Sequence, residues 1–297
     1  MNFKFSKKFK SKFEYNFNLS KLTWFRTGGL VNTYCYINNS EDLIEILSKI
    51  PSDVSIFILG AGSNVLVRDG GFNGVVLKLG KEFSNISQND EKLIIGSGVL
   101  DINLSKYALK NSISDLEFYI GIPGTLGGAI KMNAGCYGYE TKNIVSGIKC
   151  INRFGEEKYI KNSDLNLEYR SSSIDNDTII KEIIINFKTG NKNVIKSKME
   201  KIIHQRKLTQ PLRTKTSGST FKNPKDLFAA KLIEDSGCKG MQVGGAMVSN
   251  KHANFFINNN NASAKDIEDL GKKVREKVFN KFSILLDWEI KIIGKYL

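Results

Sequence analysis

The sequence predicts an α+β protein of more than one domain, and three observations predict it. A chain of 297 residues exceeds the usual size of a single core. From about Leu22 to Lys188, short apolar runs of strand length alternate with loops, whereas from Lys192 onward apolar positions recur at helical spacing. Finally, Ile58-Leu-Gly-Ala-Gly-Ser-Asn-Val-Leu-Val-Arg-Asp-Gly-Gly71 joins one β-like run to another through a loop of small residues. A Rossmann site would open a helix there, with glycine at three spaced positions. The expected organisation is a basic extension over 1–21, a first domain over 22–190 and a second over 191–297.

The elements follow in chain order. The N-terminal segment is basic and aromatic (Phe3, Lys4, Phe5, Lys7, Lys8, Phe9, Lys10, Lys12, Phe13), without the continuous apolar core of a signal peptide. A helix over Glu41–Ile50 is expected after a Ser40 cap, with Leu43, Leu47 and Ile50 on one face. Strands are expected at Val54–Leu59, Val75–Leu79, Leu93–Ile95 and Glu182–Phe187, and a second helix at Asp101–Lys110. Val194, Ile195, Met199, Ile202 and Ile203 then form a helical stripe. Leu227–Ser236 reads as a helix stopped by Gly237. Another helix opens at Ser263 with Asp266 three positions on, and carries Ile267, Leu270, Val274 and Val278. Leu285–Ile293 reads as a strand.

Composition bounds the function. The 41% hydrophobic and 25% charged content is that of a soluble globular chain, and no run reaches membrane-spanning length. The expectation is a cytoplasmic monomer without membrane insertion. Cys35, Cys136, Cys150 and Cys238 are far apart, and neither histidine stands at metal-ligand spacing, so reduced thiols and no metal are expected. A net charge of +14 raises nucleic acid as a partner. The lysines are scattered and no nucleic-acid-binding motif is present, so none is expected. A positive field still draws in phosphate-bearing ligands.

Two glycine-rich segments carry the candidate site. Gly60, Ala61, Gly62 and Ser63, followed by Asn64, Val65 and Leu66, let backbone N–H groups approach an anion, although the loop alone reads equally well as a glycine hairpin. The second segment, Gly121 to Gly138, has six glycines in eighteen residues, a conformational cost that needs a reason. Its small residues admit a flat or extended ligand, Pro123 fixes a turn and Asn133 offers directional hydrogen bonds. Cys136 within it reads as space-filling or as a neighbour of a cofactor. A third, donor-rich turn is Thr23-Trp-Phe-Arg26-Thr-Gly28-Gly29.

These segments resemble the family of UDP-N-acetylenolpyruvoylglucosamine reductases, the MurB flavoenzymes. The likeness extends through Tyr169-Arg170-Ser171-Ser172, Gly218-Ser219-Thr220-Phe221-Lys222-Asn223-Pro224, Gly244 to Ser249, His252-Ala253-Asn254-Phe255 and Trp288-Glu289-Ile290-Lys291. The order of motifs is the family's own. The resemblance implies a two-lobed FAD-binding domain of the p-cresol methylhydroxylase/vanillyl-alcohol oxidase type, plus a C-terminal α+β substrate-binding domain. It also implies that Gly60 to Leu66 form the pyrophosphate loop, and that Gly121, Pro123, Gly124, Gly127, Gly128, Ala129, Asn133, Ala134 and Gly135 lie in a strand and turn lining the flavin.

The implied chemistry is NADPH-dependent reduction of UDP-N-acetylglucosamine enolpyruvate to UDP-N-acetylmuramate, in peptidoglycan precursor synthesis. Hydride addition leaves charge delocalised into the substrate carboxylate, and Arg170 and Glu289 match the family's groups that stabilise it. Ser219 matches the proton donor to carbon. From spacing alone Arg170 reads more readily as a domain-bridging salt-bridge partner, Glu289 as a solvent-facing strand residue and, most of all, Ser219 as one hydroxyl among Thr216, Ser217 and Thr220. Lys207, Lys222 and Asn223 are candidates for the UDP phosphates or sugar, and Tyr169 for packing on the substrate. Lys291 stands where the resemblance expects arginine, which puts a bidentate contact there in doubt. No room exists for the tyrosine-bearing loop of one branch, which points to the shorter branch with a more open site. The alternatives are another FAD oxidoreductase of the same fold and a basic nucleic-acid-binding protein.

Overall fold

The computed structural model describes residues 9–89 and 92–297. Phe3, Lys4, Phe5, Lys7 and Lys8 of the basic N-terminal segment lie outside the described residues. The architecture is α+β, in two compact units. The first comprises the described residues up to Tyr15, Asn32–Ala61 and Gly74–Gln205; the second comprises Asn16–Val31, Gly62–Asn73 and Arg206–Leu297. Among the described residues no helix is long and apolar enough to cross a membrane.

The first unit has two cores, one for each lobe. A four-stranded sheet in the order Lys12–Asn18, Leu30–Ile37, Phe72–Leu79, Ser55–Ile58 packs against helix α1 (Ser40–Lys49) through Cys35, Ile37, Leu43, Ile46, Leu47 and Val75. Phe9 and Phe13 pack against the same core, and their ring centroids are 5.4 Å apart. Asn39, rather than the expected Ser40, caps α1: its Oδ1 accepts the Asp42 N–H at 2.7 Å. The Ser40 hydroxyl instead donates to Glu82 at 2.8 Å.

The second lobe is built on an antiparallel five-stranded sheet in the order Glu157–Lys161, Val145–Ile151, Ile179–Asn186, Lys92–Gly96, Ile86–Asn89. Helices α2 (Asp101–Lys110), α3 (Leu126–Lys131) and α4 (Lys192–Thr209) bury their apolar faces in its core. α3 corrects the strand expected within Gly121–Gly135. Leu126, Ala129 and Ile130 are buried at i, i+3 and i+4, a helical period that the surrounding glycines conceal. On α4, Ile195, Met199 and Ile202 are buried, but Val194 and Ile203 are exposed, so the apolar stripe is narrower than its sequence suggests.

In the second unit, α5 (Ala229–Asp235) starts two residues later than expected, because the Asn223 side chain takes the Ala229 N–H at 3.0 Å. It stops at Gly237, at φ +69°. Helix α6 (Ala264–Phe282) opens with the expected capping box between Ser263 and Asp266, and Ile267, Leu270, Val274 and Val278 are buried along it. Both helices pack on a short antiparallel sheet of Gln242–Val243, Ala246–Val248 and Phe256–Asn258. The strand expected over Leu285–Ile293 is confined to Lys291–Ile293, which runs parallel to Val65–Val67. Upstream of it, the Leu286 carbonyl accepts from Arg275 Nε at 2.8 Å, occupying a group that a ladder would use.

Candidate functional site

In the first unit the two glycine segments meet. The Gly60 carbonyl accepts from Lys78 Nζ at 2.5 Å, and a Cβ on Gly60 would stand 2.6 Å from Thr125 Oγ1. A side chain at position 60 would therefore fill the space between the loops. Burial pushes the Lys78 pKa down, favouring a lysine that serves as a short hydrogen-bond donor to the loop. Gly121, Pro123 and Gly124 are half-buried, and the Gly124 carbonyl accepts the Asp101 N–H at 3.1 Å. Gly127 N–H donates to the Ser97 carbonyl at 2.9 Å, and a Cβ on Gly127 would sit 2.9 Å from Ser97 Cβ. The Ser97 hydroxyl is buried without a hydrogen-bond partner among the described residues.

Not every residue of the second segment presents its side chain. Gly128 is exposed, but Ala129 and Ala134 face the core. Asn133 is fully buried at φ +41°. Its Oδ1 accepts the Lys142 N–H at 2.9 Å, while Nδ2 donates to the Glu168 carbonyl at 3.0 Å and to Glu140 at 3.2 Å. Its amide fixes the turn leading to Gly135. Arg170 Nη2 donates to the Gly135 carbonyl at 3.0 Å, and the guanidinium lies 4.9 Å from the centroid of the exposed Tyr169 ring. Cys136 fills space, its Sγ 3.2 Å from the Phe118 carbonyl.

In the second unit, Gly62 at φ +69° accepts the Trp24 N–H at 2.9 Å, and a Cβ there would lie 2.1 Å from the Leu22 carbonyl. This close approach of the Thr23–Gly29 turn requires glycine. Ser63 and Asn64 are half-buried, whereas the Val65 and Leu66 side chains belong to the interior. Asn64 Nδ2 donates to the Glu289 carbonyl at 3.0 Å, and the Asn64 carbonyl accepts the Lys291 N–H at 2.9 Å. The Glu289 N–H donates to the Thr220 carbonyl at 2.9 Å, and Ser219 forms a bridge with Phe255. Glu289 is thus tied by a main-chain hydrogen bond to Thr220, the residue that follows Ser219.

Around them the hydroxyls of Thr216, Ser217 and Thr220 are buried without a partner among the described residues. Such groups are costly unless a ligand satisfies them. Lys222 is half-buried beside this patch, Lys207 lies on the exposed end of α4, and Lys291 is exposed on its strand. The Asn223 oxygen is engaged in capping α5.

Reading the sequence missed Lys78, Ser97, Asn254 and the α3 backbone. Lys78 carried a signal, as the lone charge in the apolar run Val75-Val-Leu-Lys-Leu79. Ser97 carried none. FAD fits the first unit: loops that meet where a Cβ would intrude, a buried serine hydroxyl with no partner, and exposed glycine at the head of α3 suit a flat ring and a pyrophosphate.

Comparison with known proteins agrees. The FAD binding domain family matches residues 32–159, and the family of UDP-N-acetylenolpyruvoylglucosamine reductase C-terminal domains matches residues 210–293. The chain is 44% identical to UDP-N-acetylenolpyruvoylglucosamine reductase from Rickettsia akari (strain Hartford), over 97% of this chain and 98% of that one. It is 42% identical to the enzyme of the same name from Orientia tsutsugamushi (strain Boryong), over 97% and 96%. Among solved structures, UDP-N-acetylenolpyruvylglucosamine reductase (MurB) from Thermus caldophilus superposes with a TM-score of 0.84 at 30% identity, covering 96% of this chain and 99% of that one. The chain therefore belongs to the family of UDP-N-acetylenolpyruvoylglucosamine reductases, FAD-dependent oxidoreductases of peptidoglycan precursor synthesis.

Proposed function

We propose that this protein reduces UDP-N-acetylglucosamine enolpyruvate to UDP-N-acetylmuramate with electrons from NADPH. The observation that carries the reading is the segment in which Thr220, next to Ser219, is bonded to Glu289, and in which the hydroxyls of Thr216, Ser217 and Thr220 are buried without a partner among the described residues. FAD, when bound, would supply hydride chemistry at the methylene carbon of the enol ether, with NADPH as the source of electrons.

The remaining work falls to side chains. Arg170 engages the substrate carboxylate, its planar fork matching two oxygens as negative charge spreads into them. Glu289 donates a hydrogen bond or proton to the same developing enediolate. Ser219 gives its hydroxyl proton to the carbon that bears the negative charge. Gly60–Leu66 would hold the FAD pyrophosphate through main-chain N–H groups, and Gly121–Gly135 would line the ring. Lys222, Lys207 and Lys291 supply positive charge to the UDP phosphates, and Tyr169 packs on the substrate. Asn223, whose side-chain oxygen accepts the Ala229 N–H, adds hydrogen bonding toward the sugar or phosphates.

An anaerobic titration tests this. NADPH is expected to bleach the flavin absorbance, and the enolpyruvyl sugar to restore it. Bleaching without recovery sinks the substrate; no flavin spectrum after adding FAD sinks the whole reading.

A further inference from the structure

Ser219 depends on a short extended segment whose shape its own sequence does not dictate. Gly218 before it is at φ +76°, and the segment joins no ladder: beside single main-chain bonds to Asp287 and Glu289 it makes isolated bridges, Ser219 with Phe255 and Phe221 with Trp288. A hydroxyl that must reach one carbon cannot rest on a backbone free to swing, because a 1 Å misplacement costs about 100-fold in rate. The structure adds a restraint from one residue, Asn254.

Asn254 is almost fully buried. Its Oδ1 accepts the Phe221 N–H at 2.9 Å, and its Nδ2 donates to the Phe221 carbonyl at 2.8 Å. Its main-chain carbonyl accepts the Thr220 N–H at 2.8 Å. One residue therefore holds three main-chain groups of the two residues following Ser219. The side-chain amide serves as a strand neighbour in miniature, with both its donor and its acceptor spent on a single residue. Only one orientation of the amide satisfies both bonds. Asn254 is itself held: its N–H donates to His252 Nδ1 at 3.3 Å, and the Ser249 hydroxyl accepts the N–H groups of Lys251 and His252 at 3.1 and 3.3 Å. Burial pushes the His252 pKa down, which keeps Nδ1 an acceptor.

We propose that Asn254 is a positioning residue for the reaction, fixing the Ser219–Thr220–Phe221 backbone so that the Ser219 hydroxyl is aimed at the substrate carbon. This rests on Ser219 as the proton donor. The restraint reaches Glu289 as well, since the Thr220 carbonyl takes the Glu289 N–H.

Asn254→Asp keeps the acceptor for the Phe221 N–H but turns an oxygen toward the Phe221 carbonyl; Asn254→Leu keeps the approximate shape and removes both bonds. Each variant is loaded with FAD, and the two half-reactions are timed separately by stopped flow. Flavin bleaching by NADPH is expected within about twofold of wild type, and reoxidation by the enolpyruvyl sugar slower by about 10- to 100-fold. Adding Ser219→Ala to either variant is expected to cost no more than Ser219→Ala alone, because residues acting through one group are not additive.

Wild-type reoxidation rates in the Asn254 variants, equal slowing of both half-reactions, or a full multiplicative loss in the double variants overturns the proposal. If Ser219→Ala alone leaves reoxidation untouched, the reading of Ser219 fails first, whatever Asn254 does. Hydrogen exchange of the wild-type protein gives a check independent of mutant folding. The Thr220 and Phe221 amides are expected to exchange as slowly as the core of α6, and exchange at the rate of an open loop refutes the clamp.

Discussion

Gly271 lies inside α6, where replacement by alanine normally stabilises a helix by about 1 kcal/mol. Here the opposite is expected. A Cβ at position 271 would stand 2.0 Å from Cη2 of Trp288 and 2.8 Å from Cζ2 and Cζ3, whereas carbon atoms rest about 3.5–4.0 Å apart. The indole must retreat by about 1.5 Å, and its way is blocked: it packs at a tilt with its centroid 4.8 Å from that of Phe221, which is fully buried and meets Phe256 edge-on at 5.7 Å. Overpacking of this kind costs about 1–3 kcal/mol. Taking the upper part of that range for a rigid bicyclic ring, and subtracting the propensity gain, leaves Gly271→Ala about 1–2 kcal/mol less stable than wild type. Both tryptophans, Trp24 and Trp288, belong to the second unit, so urea unfolding followed by tryptophan fluorescence reports on that unit. The midpoint should fall with the slope unchanged. In a Trp288→Leu background, followed by circular dichroism, the same substitution should become neutral or stabilising. A raised midpoint in the wild-type background, or an equal cost in both, would refute the steric reasoning.

Asp101 gives a pH-dependent expectation. It is fully buried, neither carboxylate oxygen has a partner among the described residues, and burial holds its pKa well above the ordinary carboxylate range. Between the unfolded and folded pKa values only the native state keeps the proton, so stability falls as pH rises. Asp101→Asn does not titrate. Its stability relative to wild type should grow above about pH 4, with a limiting slope of about 1.4 kcal/mol per pH unit, read from denaturation midpoints across pH; a constant gap would contradict this. The second unit contains an ion pair buried on its acidic side only: Glu268 accepts from the partly exposed Arg68 through Nε at 2.8 Å and Nη2 at 3.1 Å, and from the Tyr296 hydroxyl at 2.9 Å. Glu268→Ala should cost about 1.5–3 kcal/mol, the loss of hydrogen bonds to a charged group, because the partly exposed Arg68 regains water, whereas replacing Arg68, Glu268 and Tyr296 together by apolar residues should cost less; comparable losses would show that the pair itself stabilises.

What the sequence revealed depended on how local each determinant is. α2 has the expected bounds, and α6 starts where its cap predicts, because both cap and period lie within one short window. At α1 two adjacent residues offered caps, and the distant Glu82 decided between them by taking Ser40. α3 was hidden because only three apolar residues in a glycine-rich run carry its period. For the tail segment, β-branched content suggested a long strand, but the Arg275 side chain claims the Leu286 carbonyl. In the site, motif order named Ser219 and Glu289, but their shared tie to Thr220 is a long-range contact with no local signal. Asn223 shows the converse: its motif suggested a ligand contact, and its oxygen caps a helix.

The parallel pairing of Val65–Val67 with Lys291–Ile293 also has a consequence during synthesis. Arg68 and Gly294, joined at the end of this pair, are 226 positions apart. At about 5–20 residues per second, the ribosome leaves Val65, Leu66 and Val67 without their mate for roughly 10–45 s. Throughout that interval a buried apolar strand presents a bare edge, the form in which chains pair with the wrong partner. Expression yield should therefore depend on holding chaperones more than the finished protein's stability suggests, and any chain interrupted before residue 291 should be cleared rather than accumulate.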